Sequence, residues 1–113
     1  PKIFAVNWFR RDEHGKFMWP GFGDNMRVLK WIIERCEGKN GAADTPVGLM
    51  PRYEDMELKG INGFSKQAFD ELTMIDKKLW QAEVKDHERL FGELASRMPA
   101  EMTEQRKRLE KAL

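Results

Sequence analysis

A single cysteine, Cys36, stands among the 113 residues of this chain. One thiol cannot close an internal disulfide, so this is no disulfide-stapled secreted scaffold, and a reducing compartment suits it. No apolar run approaches the roughly 18–20 residues needed to span a bilayer, and no signal peptide is visible. Both absences point to a cytoplasmic protein. Histidine is scarce: His14 and His87 lie far apart, whereas a transition-metal site needs several His, Cys or carboxylate ligands converging. Charge of one sign is missing too. The 20 basic and 19 acidic side chains leave a net charge of +1, so no electrostatic footprint argues for nucleic acid or a membrane surface as partner. A phosphate-cradling loop needs a glycine-rich turn followed by Lys and then Ser or Thr. The two Gly-Lys pairs here run on into Phe17 and Asn40, and no nucleophile-plus-base pairing is visible. With 35% charged residues and a mean hydropathy of −0.69, little apolar surface remains for a core, although the length suits one small domain. The chain opens at Pro1 and not at Met, which fits a piece cut from something larger.

What is present concentrates at the start. The stretch from Asn7 to Asn25 reads NWFRRDEHGKFMWPGFGDN, and 6 of the 12 aromatic residues fall in the first 25 positions. Gly15, Pro20, Gly21 and Gly23 interrupt it, and such residues break helices and strands. Large rings on a turn-rich segment follow neither helix nor strand periodicity. A slot walled by aromatic faces suits a planar heterocycle, because stacking needs only a π-face. By spacing alone, Phe9, Phe17 and Phe22 read more readily as core aromatics than as such a slot.

The remainder patterns as an α+β chain, predominantly helical, with an N-terminal strand or hairpin followed by about four helices. Lys2–Phe9, rich in Ile, Phe, Val and Trp, is predicted as a strand covered on both faces. Arg10–Gly15 follows as a solvated charged turn, and Lys16–Trp19 as a short strand pairing back. Asp24 is predicted to cap a helix by accepting from the first-turn N–H groups. Met26, Leu29, Ile33 and Cys36 form that helix's apolar stripe, widened by Val28 and Ile32, with Gly38 as its stop and Cys36 acting as a small hydrophobe. Glu37–Tyr53 reads as a loop. A short helix begins near Ser65 and carries Phe69 and Leu72. From Thr73 or Asp76, a longer helix places Trp80, Val84, His87, Phe91, Leu94 and Met98 on one seam, with His87 as packed core. Pro99 ends it. Ala100–Leu113 forms a last charged helix with Met102, Leu109 and Leu113 inward and i,i+4 pairs such as Glu104 with Arg108.

The run of NWF, a charged turn ending in GKF, WPGFG, an acidic residue, Asn and a helix opening MRVLKW resembles the guanine-binding loop of GTP-dependent phosphoenolpyruvate carboxykinases. The likeness continues more loosely through TPVG at Thr45–Gly48, LKG at Leu58–Gly60 and LWQAEVKDHE at Leu79–Glu88. It implies that residues 1–113 are the C-terminal portion of the nucleotide-binding domain of a larger α/β enzyme, with strand and guanine-binding loop in residues 1–25 and a mostly helical part in residues 26–113. It further implies a guanine site. Phe9 and Phe22 would sandwich the base, Phe17 would close the pocket, Gly23 and Asp24 would line it, and Asn25 would bond the base edge. Trp8 and Trp19 would lie beside the pocket, in support or in direct contact. The implied parent converts oxaloacetate and GTP to phosphoenolpyruvate, GDP and carbon dioxide in gluconeogenesis, using Mn2+ or Mg2+. Its catalytic and metal residues have no counterpart here, so this chain alone is expected to be inactive, with GTP or GDP and the remainder of the parent enzyme as its implied partners.

A reading of another class is an independent binding or assembly module. Its strand could add to a sheet edge, and the Trp80–Met98 seam could dimerise. An apolar strand built for cover on two sides would expose a sticky surface once separated from its parent, so self-association is expected.

Overall fold

The computed structural model describes all residues, Pro1–Leu113. It is α+β and mostly helical, with four α-helices: α1 (Asn25–Cys36), α2 (Lys66–Thr73), α3 (Lys77–Leu94) and α4 (Ala100–Ala112). The only sheet is a hairpin of β1 (Ala43–Thr45) and β2 (Gly48–Met50), joined by Pro46 and Val47 and closed by the Thr45 hydroxyl donating to the Gly48 carbonyl at 2.6 Å. A two-residue connection requires antiparallel strands. This hairpin, and a 3-10 turn at Tyr53–Asp55, correct the loop expected over Glu37–Tyr53. Strands of three residues are too short to show an alternation in sequence.

Two compact units divide the chain: Pro1–Asp44 with Leu49–Met74, and Thr45–Gly48 with Ile75–Leu113. The core of the first comprises Trp19, Trp31, Met56, Leu58, Phe64 and Phe69. Its rings meet edge to face, Trp19 on Phe64 at 5.5 Å and Tyr53 on Phe69 at 5.6 Å, the geometry that ring quadrupoles favour. In α1 the buried residue is Trp31, whose indole donates to the Gly41 carbonyl at 3.1 Å. Val28 and Ile32 pack beside it. Met26, Leu29, Ile33 and Cys36 are exposed, so the predicted stripe lies beside the packed face and not on it. Gly38, at φ 73°, ends α1 as expected. Its N–H reaches the Arg35 carbonyl and the next N–H reaches Glu34 at 2.8 Å, the paired bonds of a glycine-terminated helix.

Lys2–Phe9 is not a strand. A strand needs a ladder partner, and the segment is spent on side-chain packing instead. Phe4 meets Trp31 edge to face at 6.0 Å, Trp8 meets Trp19 at 6.2 Å, and the Lys2 ammonium donates to the Arg35 and Cys36 carbonyls at the end of α1. A cation there satisfies orphan carbonyls and complements the helix dipole. The expected second strand, Lys16–Trp19, contracts to one antiparallel bridge between Arg11 and Phe17. The turn it closes is held by Asp12, whose Oδ1 accepts from the His14 and Lys16 N–H groups, both at 2.9 Å. Nor is this turn simply solvated. Arg10 is half-buried and donates to the Leu72 and Met74 carbonyls at 2.7 and 3.0 Å, closing the end of α2. The start of α2 follows expectation, with the Ser65 hydroxyl accepting from the Ala68 N–H at 3.1 Å and Phe69 buried.

In the second unit, Asp76 caps α3 by accepting from the Lys78 and Leu79 N–H groups. The predicted seam is the inward face: Val84 is buried, and Trp80, His87, Phe91, Leu94 and Met98 are half-buried. His87 stacks on Phe91 at 6.5 Å, 14° from parallel. α4 turns Leu109 and Leu113 inward and leaves Met102 exposed. Its charges pair otherwise than predicted. Arg106, with a side chain only 9% exposed, joins Glu110 on its own helix to Glu88 on α3, and Glu104 and Arg108 form no pair. α3 ends at Leu94 and not at Pro99 as predicted: Ala95 breaks it at φ 46°, ψ −122°, a region that suits glycine, and a 3-10 turn, Ala95–Arg97, follows.

Two outcomes are expected from this architecture. Ala95→Gly relieves the backbone strain and raises stability by about 1 kcal/mol, read as a higher thermal midpoint; an unchanged or lower midpoint counts against it. The bonds that Asp12 accepts, led by that from Lys16 N–H, hold its carboxyl below the ordinary carboxylate range. A depressed folded-state pKa contributes stability fully above the unfolded value of about 4, and this is lost as pH falls through the folded value. The His14 and Lys16 amide resonances should therefore keep their shifts down to about pH 4 and collapse together on further acidification. An earlier transition, centred on the unperturbed value, would contradict the bonding described.

Candidate functional site

The aromatic loop builds upward from a fixed base. Asn7 accepts from the Phe9 N–H at 2.9 Å, a local side-chain turn that leaves the Phe9 ring 71% exposed. Phe17, on the far arm of the Asp12 turn, is 46% exposed and meets Phe9 edge to face at 6.0 Å and 60°. The Arg11 guanidinium lies 4.0 Å from the Phe17 ring centre and donates to the Gly15 carbonyl, so its charge is spread over the outer side of the turn. Beyond Pro20, Gly21 takes φ 133°, ψ −174°, which a side chain would resist. It leads into a 3-10 turn, Phe22–Asp24, on which Phe22 stands 91% exposed.

Beneath these rings the loop is anchored. Trp19 is 6% exposed, and its indole Nε1 donates to Asn25 Oδ1 at 2.8 Å. Trp8 is half-buried against it. Asp24 does not cap α1: its backbone is already helical, and its carboxylate pairs with Arg27 at 2.8 Å instead of with backbone N–H groups. Gly23 has open space where a side chain would project, so the chain itself demands no glycine there. The structure thus brings Phe9 and Phe17 together and, separately, joins Trp8, Trp19 and Asn25. Phe22 makes no ring contact with either Phe9 or Phe17. Three exposed rings on a loop anchored by the buried Trp19 indole offer π-faces and one amide to a ligand, and no acid or base placed for chemistry.

A second feature had no signal in the sequence. A cleft of about 240 Å³ lies among Arg27, Lys30, Trp31, Glu34, Glu54, Asp55, Met56 and Glu57. Lys30, Glu34, Asp55 and Glu57 each take part in an ion pair. Lys30 bonds Glu57, which raises the lysine pKa and lowers that of the glutamate, and Arg27 donates to the Glu57 and Lys59 carbonyls. These pairs join α1 to the following segment. No group of three or more His, Cys, Asp or Glu side chains gathers anywhere in the chain as a metal site, and no helix is long and apolar enough to cross a membrane.

Residues 1–112 match the family described as phosphoenolpyruvate carboxykinase C-terminal P-loop domain. The chain is similar to a phosphoenolpyruvate carboxykinase (GTP) of Treponema pallidum, 45% identical over 103 residues, covering 90% of this chain and 16% of that protein. It is 43% identical over 113 residues to that of Corynebacterium efficiens, covering 100% of this chain and 18% of the relative. With a mitochondrial form from Mus musculus it shares 49% over 86 residues, 76% of this chain and 13% of that protein. The chain therefore spans less than a fifth of the length of these relatives. The P-loop of the family's description is not among these residues, since neither Gly-Lys pair continues into Ser or Thr. By the match over almost its whole length, the chain belongs to the phosphoenolpyruvate carboxykinase C-terminal domain family.

Proposed function

We propose that these residues form the guanine-recognising part of a GTP-dependent phosphoenolpyruvate carboxykinase, an enzyme converting oxaloacetate and GTP to phosphoenolpyruvate, GDP and carbon dioxide. The observation that carries the reading is the exposure of Phe9, Phe17 and Phe22 on a loop anchored by buried Trp19. A solvent-facing ring contributes little to folding, whereas a purine laid against it recovers apolar burial and stacking. In this reading Phe9 and Phe22 take the two faces of the base, Phe17 closes the side next to Phe9, and Asn25 meets the base edge. Gly23 and Asp24 line the turn that carries Phe22, and Trp8 and Trp19 support from below.

Decarboxylation of oxaloacetate leaves an enolate that accepts the γ-phosphoryl group, and such transfer is governed by positioning and charge stabilisation. The present residues supply positioning at the base end. Holding the purine fixes where the triphosphate reaches, so a slot remote from the reacting atoms contributes to turnover as well as affinity. The Mn2+ or Mg2+ expected for the whole enzyme finds no ligand set in this chain, and no step here runs through it. We place the enzyme in the cytoplasm, as the bulk of its chemistry with soluble metabolites suits, with GTP and GDP and the rest of the enzyme as partners.

Two measurements test the reading. In the full-length enzyme, Phe9→Ala and Phe22→Ala should each cost roughly 1–3 kcal/mol of nucleotide binding and lower kcat/KM for GTP, ITP and ATP alike, because stacking tolerates any base. Asn25→Ala should mainly erode the preference for guanine over adenine. Unchanged nucleotide use with a fall in stability would make these rings core residues. Separately, the 113-residue chain incubated with GTP, oxaloacetate and manganese should show no turnover; activity abolished by a substitution within the chain would place the reaction centre here.

A further inference from the structure

We propose that Trp19 is a specificity-determining positioning residue: by holding the oxygen of the Asn25 amide it leaves the amide NH2 to the ligand, and so selects purines with an oxygen at position 6 over purines with an amino group there. This rests on the reading of the aromatic loop as a purine site.

The amide orientation follows from donor chemistry. An indole N–H only donates, so the atom facing Trp19 Nε1 at 2.8 Å is the amide oxygen. Trp19 cannot turn away from this contact. Its ring is 6% exposed, edge-on to Phe64 at 5.5 Å and 77°, with Trp8 at 6.2 Å on another side. The Asn25 backbone is held as well, its N–H donating to the Phe22 carbonyl at the entry to α1. Rotating the amide by half a turn would set NH2 against N–H and leave the buried indole without an acceptor, an arrangement that buried polar groups avoid. Asn25 Nδ2 has no acceptor within the chain, and no buried side-chain nitrogen or oxygen lacks a partner. The free NH2 is therefore open to solvent, three residues after the exposed Phe22.

What that NH2 can meet decides the selection. Guanine and hypoxanthine carry an acceptor oxygen at position 6, which pairs with a donor. Adenine carries an amino group, so two donors would oppose each other with one left unpaired on desolvation. The 2-amino group, which distinguishes guanine from hypoxanthine, is not read by this contact. Stacking supplies affinity without identity, and the oriented amide supplies identity.

The test is kcat/KM for GTP, ITP and ATP in the full-length enzyme carrying this chain, with wild type, Trp19→Phe and Asn25→Asp compared. Trp19→Phe keeps an aromatic ring in the core and removes the donor, freeing the amide to rotate. The GTP-to-ATP ratio is expected to fall roughly tenfold, with GTP and ITP moving together. Asn25→Asp keeps an acceptor for Trp19 and offers the ligand a second oxygen, so ATP should gain relative to both 6-oxo nucleotides. A purely structural Trp19 lowers all three values in proportion, and an unchanged ratio in Trp19→Phe overturns the proposal. Should that variant fail to fold, Asn25→Asp decides: retained preference for GTP and ITP refutes the oriented amide, and a shift toward ATP supports it. Phe9→Ala and Phe22→Ala separate the two levels. If they leave nucleotide use untouched, the loop is no purine site; if they impair it while the ratios in Trp19→Phe and Asn25→Asp stay fixed, the inference about Trp19 alone is wrong.

Discussion

Trp19 lies in a segment whose other rings mostly face water, yet it is almost fully buried and bonded at its one polar atom. That burial lets the rest of the aromatic loop exist. A turn carrying three exposed phenylalanines, three glycines and a proline has little reason to hold one shape, because glycine is costly to order and exposed rings return nothing for it. The indole supplies the missing constraint by packing against Phe64 from a distant stretch of chain while bonding Asn25 at the head of α1. Both ends of the Pro20–Asp24 turn are thereby tied to one buried ring. A buried N–H left without a partner is expensive, so the contact is directional as well as apolar.

Long cations perform a related task on the backbone. With so much of its sequence charged, the chain has few spare apolar residues to bury loose ends, and its lysines and arginines take up free carbonyls. Lys2 closes the end of α1, Arg10 the end of α2, and Arg35 donates to the Asn40 carbonyl at 2.6 Å. Arg27 holds Glu57 and Lys59, and Arg52 the Ala42 carbonyl. Charged hydrogen bonds to backbone oxygens are stronger than neutral ones, and the aliphatic stems cover apolar surface on the way. Arg10 joins this scaffolding to the aromatic loop, since it sits between Phe9 and the Asp12 turn and is anchored some 60 residues away on α2.

This division explains what could be read from the residues beforehand. The helices were legible, because Ser65, Asp76 and Gly38 punctuate the chain by local chemistry that needs no neighbour, whereas α3 stops at Leu94, short of Pro99. The α3 seam was legible for the same reason: Val84 and its companions repeat at helical spacing over five turns. Lys2–Phe9 was misread because apolarity reports the wish to be covered and not the kind of cover; here helix and indole take the place of a strand partner. The α1 stripe failed similarly. Met26, Leu29 and Ile33 repeat correctly yet stay exposed, whereas Trp31 anchors the core through contacts with Phe4 and Gly41 that only the fold brings near. Arg106 likewise finds Glu88 across 18 positions, beyond any i,i+4 rule.

The candidate site was legible in composition but not in hierarchy. Six aromatic residues look alike in sequence, and only burial sorts them into Phe4, Trp8 and Trp19, packed in or against the core, and an open set of Phe9, Phe17 and Phe22. The sorting has a physical basis. Tryptophan carries a polar N–H that must be satisfied when buried, so it serves where orientation has to be fixed; phenylalanine has no such demand, and an exposed ring gains burial when a base is laid against it. In the proposed purine site, stacking on phenylalanine and an amide aligned through tryptophan would separate affinity from identity. The two properties can then vary independently, the first with the rings that meet the faces of the base, the second with the hydrogen bond beneath them.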